Sequence, residues 1–315
     1  MKKHLLLVLL LPAFLSCSQD EDDTSTTCKS DQSLDTSRGA CTLDLSNTSM
    51  YQELVENGLR KINANAIPDH LIGNFSGGPG AQSPNAISEQ DEYYEIDATP
   101  SEASSLTPLL NTTTGFEGGP KFSFGILFNG VEVDPVAAEP FPHEGAMTPN
   151  AVWEWNLEAL NVRIGLDCNN AHVQPDGKYH YHGLPTLYVD EQGSGVNQML
   201  HVGYAADGFP IYFKYGYADA SDAQSDVVEL QPSYRLKSGE RPGDGSSAPC
   251  GTYNGVYSND YEYVEGLGDL DEANGRYGIT PEFPQGTYYY VLTTDFPSIP
   301  RYFKGTPSNF FAIGL

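Results

Sequence analysis

Short apolar runs separated by turn-forming residues make up the chain from about residue 68 to its end, and this pattern leaves little room for long helices. The composition agrees, because 32 glycines, 22 prolines and 20 tyrosines favour strands joined by many turns. With 39% hydrophobic residues, the chain carries enough apolar material for a core. We therefore predict a mainly β fold: a single large, antiparallel, sandwich-like domain with few short helices.

Several segments predict individual elements. Residues 122–128 followed by Asn129-Gly130 predict a hairpin, because Asn-Gly is the preferred two-residue turn between strands. Residues 288–292 predict a strong strand and residues 261–264 a weaker one. Apolar residues at helical spacing predict a short amphipathic helix over residues 50–64. The segment AVWEWNLEAL fits a helix, although its two tryptophans also suit a strand.

The N-terminus has the pattern of a bacterial lipoprotein signal peptide. Two lysines precede an apolar run over residues 5–15, which is too short to span a bilayer but has the length of a signal-peptide core. The run ends in Phe-Leu-Ser-Cys, which resembles a lipobox. We therefore expect residues 1–16 to be removed and Cys17 to be lipidated. A plain secretory signal with an incidental cysteine is the alternative interpretation.

Residues 17–48 are acidic and rich in Ser and Thr, which predicts a linker before one domain over residues 49–315. The run SQDEDD, which begins directly after Cys17, resembles the surface-export signal of lipoproteins in the Bacteroidetes, and a solvated tether accounts for it equally. We expect a cell-envelope protein that is attached by lipid to the outer membrane and exposed at the surface. The lipid is the only expected membrane contact, because no other segment is apolar and long enough to cross.

The charge balance excludes one class of partner. The chain has 42 acidic and 16 basic residues, a formal net charge of −26. Binding to nucleic acid needs a clustered basic footprint, so we expect no nucleic-acid partner. The sequence does not specify a small-molecule or glycan ligand.

The cysteines indicate an oxidising compartment. Four remain when Cys17 is set aside, an even number that predicts two disulfides in an exported chain. Three pairings are compatible with the sequence, and chain order favours Cys28 with Cys41 and Cys168 with Cys250. No C-x-x-C occurs, which argues against a cysteine zinc site.

Most candidate functional residues lie between Asp167 and His201. Four of the seven histidines fall here, namely His172, His180, His182 and His201. His180 and His182 are two residues apart, so on a strand both rings leave from one face, with Cα atoms about 7 Å apart. A Pro-Asp-Gly turn precedes this pair and is expected to fold His172 back toward it.

His172, His180 and His182 are therefore candidates for a three-nitrogen metal site, with Asp167 or His201 as a further ligand or an outer partner. Three protein ligands and an open position are typical of a reactive metal centre. Imidazole ligands indicate copper or zinc without selecting between them. The alternative is a hydrogen-bonded histidine network that holds a turn against its sheet.

Tyr179 and Tyr181 alternate with the histidines and belong to the other face of the same predicted strand. They are either core residues or, together with His201, candidate acid–base catalysts. An exported hydrolase or lyase acting on a carbohydrate or ester is therefore an alternative function, and a structural or adhesion protein is a third. The sequence contains no Gly-x-Ser-x-Gly motif and no P-loop.

A calcium loop is a weaker hypothesis. Six carboxylates lie between Asp260 and Glu272, and clustered oxygen ligands suit Ca²⁺. However, the following Asn-Gly comes one residue late for an EF-hand, and Thr280 stands where a glutamate is needed. We expect a solvated acidic turn in preference to a Ca²⁺ site.

The stretch NAHVQPDGKYHYHGLP resembles the signature of the YHYH-domain proteins, a bacterial family named for that tetrapeptide. FGILFNGVEVDP, HVGYAADGFPIY and the late segment GLGDLDEANGRYGITPEF are similar to that family as well, and the resemblance covers residues 85–315. It implies an exported or lipid-anchored protein, but no mechanism. It also implies a single constellation made of His172, Tyr179, His180, Tyr181 and His182. Ala273 stands where relatives are expected to carry cysteine, so no disulfide is expected there.

Overall fold

The computed structural model describes residue 28 and residues 32–76, 81–193 and 198–314. The predicted signal peptide, Cys17 and the acidic run behind it lie outside these residues. The described chain is mainly β, with 33% strand and 7% helical residues, which confirms the predicted class. Within it, no helix has both the length and the apolar character needed to cross a bilayer.

The described strands, numbered in chain order, are β1 (Tyr51–Glu56), β2 (Leu59–Ala64), β3 (Glu92–Asp97), β4 (Thr107–Pro108), β5 (Leu110–Asn111), β6 (Gly119–Pro120), β7 (Gly125–Leu127), β8 (Glu132–Val133), β9 (Val136–Phe141), β10 (Val152–Glu158), β11 (Ala171–Val173), β12 (Tyr179–Tyr181), β13 (Leu200–Ala205), β14 (Pro210–Phe213), β15 (Tyr215–Tyr217), β16 (Val227–Glu229), β17 (Tyr234–Leu236), β18 (Tyr261–Tyr263), β19 (Gly275–Gly278), β20 (Thr287–Leu292) and β21 (Tyr302–Phe303). The helical elements are α1 (Thr186–Glu191) and the 3-10 turns Gly115–Glu117, Ala159–Asn161, Ser258–Asp260 and Asn309–Phe311.

One eight-stranded sheet, in the order β11-β12-β8-β7-β13-β14-β20-β19, forms the centre of the protein. Its pairs are antiparallel except β12 with β8 and β14 with β20, which are parallel, so the sheet is mixed. The other sheets of the described chain have two or three strands each, so no second sheet of comparable size is present there. Apolar side chains of the central strands, among them Ile126, Ile211 and Leu292, are fully buried in the main core.

Several predicted elements are present. Strands β7 and β8 form the predicted antiparallel hairpin around Asn129-Gly130, and β20 and β18 match the other two predicted strands. The segment that fitted either a helix or a strand contains strand β10, and both of its tryptophans, Trp153 and Trp155, are buried. Packing of these large rings decides the local conformation, because a strand can place alternate side chains against the core.

The helix predicted over residues 50–64 is wrong. These residues form the antiparallel hairpin β1–β2, in which Tyr51 lies opposite Ala64. Asn57 and Gly58 join the strands with φ values of 53° and 79°, as a type I′ turn requires. The Asn-Gly dipeptide was a stronger local signal than the helical spacing of the apolar residues.

The disulfide pairing predicted from chain order is also wrong, although two bonds are present. Cys28 is bonded to Cys250, and Cys41 is bonded to Cys168, with sequence separations of 222 and 127 residues. Chain order favours pairs that are close in sequence. It carries no information about which distant loops the fold brings together, and both observed bonds join distant loops.

Part of the predicted linker lies against the domain. The Gly39 N–H donates to the Leu166 carbonyl at 2.9 Å, and Leu43 forms a β-bridge with Ile72. The Gly39 hydrogen bond and the disulfide between Cys41 and Cys168 join the segment before β1 to the loop that leads into β11. The Leu43 bridge joins the same segment to the chain between β2 and β3. The attachment therefore begins well before residue 49, the predicted start of the domain.

Candidate metal centre

Strands β11 and β12 place three histidine side chains next to one another at one end of the central sheet. The strands are antiparallel, and His172 lies directly opposite His180. His182 follows β12 immediately and shares the face of His180, as expected from their spacing. Between the strands, Gly177 adopts φ 93° and its N–H donates to the Gln174 carbonyl at 2.9 Å, which closes the predicted Pro-Asp-Gly turn.

The Nε2 atoms of the three rings converge. Nε2 of His182 lies 3.0 Å from Nε2 of His180 and 3.1 Å from Nε2 of His172. The three ring centroids are 4.7 to 4.8 Å apart, so the rings form a nearly equilateral triangle. One donor atom from each ring lies within 4.8 Å of the other two. We call these three residues the His triad.

The outward nitrogens set the tautomers of two rings. Nδ1 of His172 lies 3.1 Å from the Ile164 carbonyl, and Nδ1 of His180 lies 3.4 Å from the Lys178 carbonyl. A carbonyl oxygen only accepts, so each Nδ1 carries the proton and each Nε2 presents a lone pair to the centre of the triangle. Hydrogen bonds of this kind orient metal-ligating histidines in many proteins.

The third ring is less constrained. Nδ1 of His182 is buried and has no hydrogen bond of good geometry with the described residues. The nearby Pro135 carbonyl favours the charged form of His182, but that carbonyl already accepts a hydrogen bond from Arg301 Nη1 at 2.7 Å. The tautomer of His182 is therefore what distinguishes the two interpretations of the site. With the proton on Nε2 it bridges the other rings, and with the proton on Nδ1 it leaves a third lone pair for a metal ion.

Burial keeps all three rings neutral near pH 7. It lowers the pKa of His172, and it lowers the pKa values of His180 and His182 well below the usual range, with a further reduction from the neighbouring imidazoles. Neutral imidazole is the form that binds metal ions. A Zn–N bond of about 2.1 Å in tetrahedral geometry needs nitrogens about 3.4 Å apart. The observed separations need to expand only slightly to reach this value.

The His triad lines a cavity of about 440 Å³. Most of the other lining residues are apolar, including Val136, Ala137 and Ile164. A metal ion held by the triad would therefore have a fourth coordination position open to the cavity. This is the arrangement of reactive metal centres, whereas structural sites have all four positions filled by protein.

Tyr179 and Tyr181 lie on the opposite face of β12, fully buried among core residues. The Tyr179 hydroxyl donates to Asp167 Oδ2 at 2.8 Å. The Tyr181 hydroxyl lies 2.6 Å from His70 Nε2 and accepts from Asn129 Nδ2 at 2.8 Å. Burial raises the pKa of both tyrosines well above the usual range. Tyr179 and Tyr181 are therefore core residues, and neither hydroxyl faces the His triad.

Asp167, predicted as a further metal ligand, is not part of the triad's group of donor atoms. Its Oδ2 accepts from the Gly73 N–H at 3.0 Å in addition to Tyr179, and its Oδ1 accepts from the N–H groups of Asn169 and Ala171. Both oxygens are therefore occupied in holding the turn before β11 to the segment around Gly73.

His201 also lies away from the triad. It sits on β13, three strands from β12 in the sheet, which corresponds to about 14 Å. Its ring stacks on Tyr212 with centroids 5.1 Å apart, and its Nε2 lies 3.0 Å from the Gly203 carbonyl. Burial lowers the pKa of His201 to about 4. His201 was predicted as a possible ligand because it is close to the other histidines in sequence. The order of strands in the sheet places it away from the triad.

The acidic turn near Asp271 gives no support to a calcium site. Asp271 Oδ1 accepts from the Ala273 and Gly275 N–H groups and from the Tyr288 hydroxyl, and its Oδ2 lies 3.2 Å from Lys304 Nζ. Its oxygens are thus used by the protein itself. Among the described residues, only the His triad forms a group of metal-ligating side chains.

The sequence analysis did not identify two buried residues near the motif. His70 contacts Tyr181 from the segment before the central sheet, and nothing in its local sequence distinguishes it. Asp134 lines the cavity of the triad. The alternation in Val-Glu-Val-Asp could have drawn attention to Asp134, because on a strand it places Asp134 and Glu132 on one face and the two valines on the other.

The mixed central sheet and the buried His triad at its end define a class: a β-rich protein with a candidate metal centre. The chain belongs to the YHYH protein family, whose model matches residues 94–305, more than half of the chain. This match includes the triad and confirms the resemblance found in the sequence. The search of curated proteins found no match, and neither did the search of solved structures.

Proposed function

We propose that this protein is an exported, lipid-anchored cell-envelope protein whose YHYH domain binds Zn²⁺ or Cu²⁺ through His172, His180 and His182. The observation that carries the metal assignment is the convergence of three Nε2 atoms, with two separations of 3.0 and 3.1 Å. A nitrogen-only site suits zinc and copper better than the hard cations Ca²⁺ and Mg²⁺.

Location in the envelope is supported by separate observations. The chain begins with a basic and apolar segment that ends in Phe-Leu-Ser-Cys, and Cys17 is the proposed site of lipid attachment. The two disulfides agree with an oxidising compartment. We propose an outer-membrane lipoprotein, exposed at the surface, that contacts the membrane only through its lipid.

Metal content of the purified protein tests the site directly. After equilibration with Zn²⁺ or Cu²⁺ and removal of excess ion, we expect about one tightly bound ion per chain by elemental analysis. The double variant His180→Gln/His182→Gln should retain none, because only one imidazole of the triad remains. Bound ion should also raise Tm, by an amount that corresponds to about 2.7 kcal/mol when the free ion is at one hundred times its Kd.

His143→Gln is the matched control, since His143 is a partly buried histidine that contacts Tyr257 and is not in the triad. It should retain as much metal as the wild type. If wild type and double variant carry equally little metal and melt alike with and without ion, the triad is a hydrogen-bonded structural network. The surface or adhesion role would then be the better interpretation.

A metal-dependent hydrolase or lyase acting on a carbohydrate or ester is the second candidate function. The cavity beside the His triad favours it, because an open coordination position admits a water molecule or a substrate. Turnover of such substrates that requires bound metal and is lost in the triad variant would support this candidate.

A further inference from the structure

Asp134 lies beside the His triad, directly after strand β8, which pairs with β12. Strands β12 and β8 are parallel, with Tyr181 paired to Val133. Asp134 follows Val133, and its N–H donates to the Tyr181 carbonyl at 2.8 Å. Its side chain lines the same cavity as all three histidines.

This carboxyl is buried without full hydrogen bonding. Asp134 is 5% exposed, and its Oδ1 has no hydrogen-bond partner among the described residues. Leaving a buried carboxylate oxygen unsatisfied is unfavourable, so an unpaired oxygen on a residue that lines a cavity indicates a group that accepts from a ligand or from water. Asp134 does not belong to the group of donor atoms within 4.8 Å formed by the triad. It is therefore placed to contact what the metal binds and not the ion itself.

The rest of the cavity narrows the ligand class. Its described lining contains no lysine or arginine, and apolar residues such as Ala137, Ile164 and Pro175 dominate. Asp134 and the exposed Glu139 are its acidic residues. An anion would lack a cationic partner other than the metal and would face the Asp134 carboxylate, so this environment disfavours anionic ligands.

We infer that Asp134 is the second contact point of a small-ligand site, in which an uncharged ligand gives a lone pair to the metal ion and an N–H or O–H to Asp134 Oδ1. The inference rests on the proposed metal function, because the ion is the first contact point. The ligand class is small uncharged nitrogen or oxygen compounds that carry both a lone pair and a hydrogen-bond donor.

A pair of probes isolates the hydrogen bond. Imidazole and 1-methylimidazole have the same metal-binding nitrogen, but only imidazole keeps an N–H when bound. The Co²⁺-loaded protein reports binding at the open position through its visible absorption. We expect the wild type to bind imidazole about 10-fold or more tightly than 1-methylimidazole, as a hydrogen bond to a charged acceptor provides. The measurements are made above about pH 7, because burial raises the pKa of the Asp134 carboxyl to about 7.

Substitutions at Asp134 should change this preference without changing Co²⁺ content. Asp134→Ala should bind the two probes about equally, and Asp134→Asn should show an intermediate preference, because a neutral amide oxygen is a weaker acceptor. Azide, an anionic probe, should bind about 10-fold more tightly to Asp134→Asn than to the wild type, since the negative charge is gone. Glu154→Gln removes an exposed carboxylate outside this cavity; it is the control and should leave both ratios unchanged.

The outcomes separate the two proposals. Equal probe preference and equal azide affinity in wild type and Asp134→Asn, both loaded with Co²⁺, overturn the role of Asp134 and leave the metal site intact. Failure of the wild type to take up Co²⁺, Zn²⁺ or Cu²⁺ overturns the metal function and this inference with it. If Asp134→Ala does not fold, the isosteric Asp134→Asn carries the same comparison.

Discussion

Each ring of the His triad has lost most of its contact with water, and this decides its chemistry. His180 and His182 are 2% and 3% exposed. A positive charge on either would be poorly solvated, and a second charge 3 Å away would raise its energy further. The rings therefore stay neutral at pH values where an exposed histidine begins to bind a proton. Neutral rings keep their lone pairs available for a metal ion.

Asp207 provides a residue-scale prediction about stability and pH. Its carboxyl is 2% exposed and accepts from the Tyr290 hydroxyl and the Gly305 N–H. Burial raises its pKa from 3.8 to about 6, despite these hydrogen bonds. Between about pH 4 and about pH 6 the folded state therefore binds more protons than the unfolded state, so this group's contribution to stability falls as pH rises.

We expect the free energy of unfolding of the wild type, relative to Asp207→Asn, to fall by about 3 kcal/mol between about pH 4 and about pH 7. Urea denaturation of both proteins across this range measures the difference. Asp244→Asn is the control of opposite sign, because the Ser247 and Ser246 N–H groups lower the pKa of the exposed Asp244 to about 2. A difference between wild type and Asp207→Asn that does not vary with pH would contradict the assignment.

At the scale of single elements, strand β12 combines two unlike faces in three residues. One face carries His180 toward the cavity, and the other carries Tyr179 and Tyr181 into a buried polar network with His70 and Asp167. The network holds the strand from behind, while backbone carbonyls orient His172 and His180 through their Nδ1 atoms. A shift of the strand register by one residue would exchange the two faces and move the buried tyrosines out of the core. Burial of these tyrosines therefore fixes the register.

Two hairpin glycines provide an element-scale prediction. Gly58 and Gly130 both have positive φ, 79° and 76°. A Cβ at Gly58 would meet nothing within 4 Å, whereas at Gly130 it would lie 2.3 Å from the Met50 carbonyl oxygen. Gly58→Ala should therefore lose about 1 kcal/mol from backbone strain alone, and Gly130→Ala should lose about 3 kcal/mol or more.

Thermal or urea unfolding of both variants checks the order. Because Gly58 closes the exposed end of β1–β2 and Gly130 closes the buried β7–β8 turn next to Met50, only the second substitution requires backbone to move. Equal losses of stability in the two variants would show that strain in the turn, and not the close approach to Met50, governs both positions.

At the scale of the whole molecule, the two disulfides attach the N-terminal segment to distant parts of the domain. Cys28 is bonded to Cys250, so the first attachment lies 11 residues after Cys17. A fully extended chain spans at most about 3.5 Å per residue, so a lipid on Cys17 would hold Cys28 within about 40 Å of the membrane. The domain would therefore stay close to the surface in spite of the long Ser/Thr-rich segment.

The lipid attachment itself is a testable property of the whole chain. In a Gram-negative host that processes lipoproteins, the wild type should incorporate labelled palmitate and sediment with membranes. Cys17→Ser should lose the label and move to the soluble fraction, because the lipid is the only proposed membrane contact. Ser18→Ala, which leaves the cysteine in place, is the matched control and should behave as the wild type. Membrane association of an unlabelled Cys17→Ser protein would contradict the proposal.

The sequence by itself determined the features that depend on neighbouring residues. Dense turn signals indicated a mainly β chain, Asn129-Gly130 indicated the β7–β8 hairpin, and the spacing of His180 and His182 placed two rings on one face of a strand. Each follows from backbone preferences or from the two-residue period of a strand, which act over a few residues.

Only the tertiary structure decided which distant groups meet. It paired Cys41 with Cys168, put two strands between β12 and the strand of His201, and placed Asp134 in the cavity through the parallel pairing of β8 with β12. The physical reason is that burial and long-range strand pairing are properties of the assembled core. A chain of residues specifies the face on which a side chain lies, but the packed sheet selects its partners.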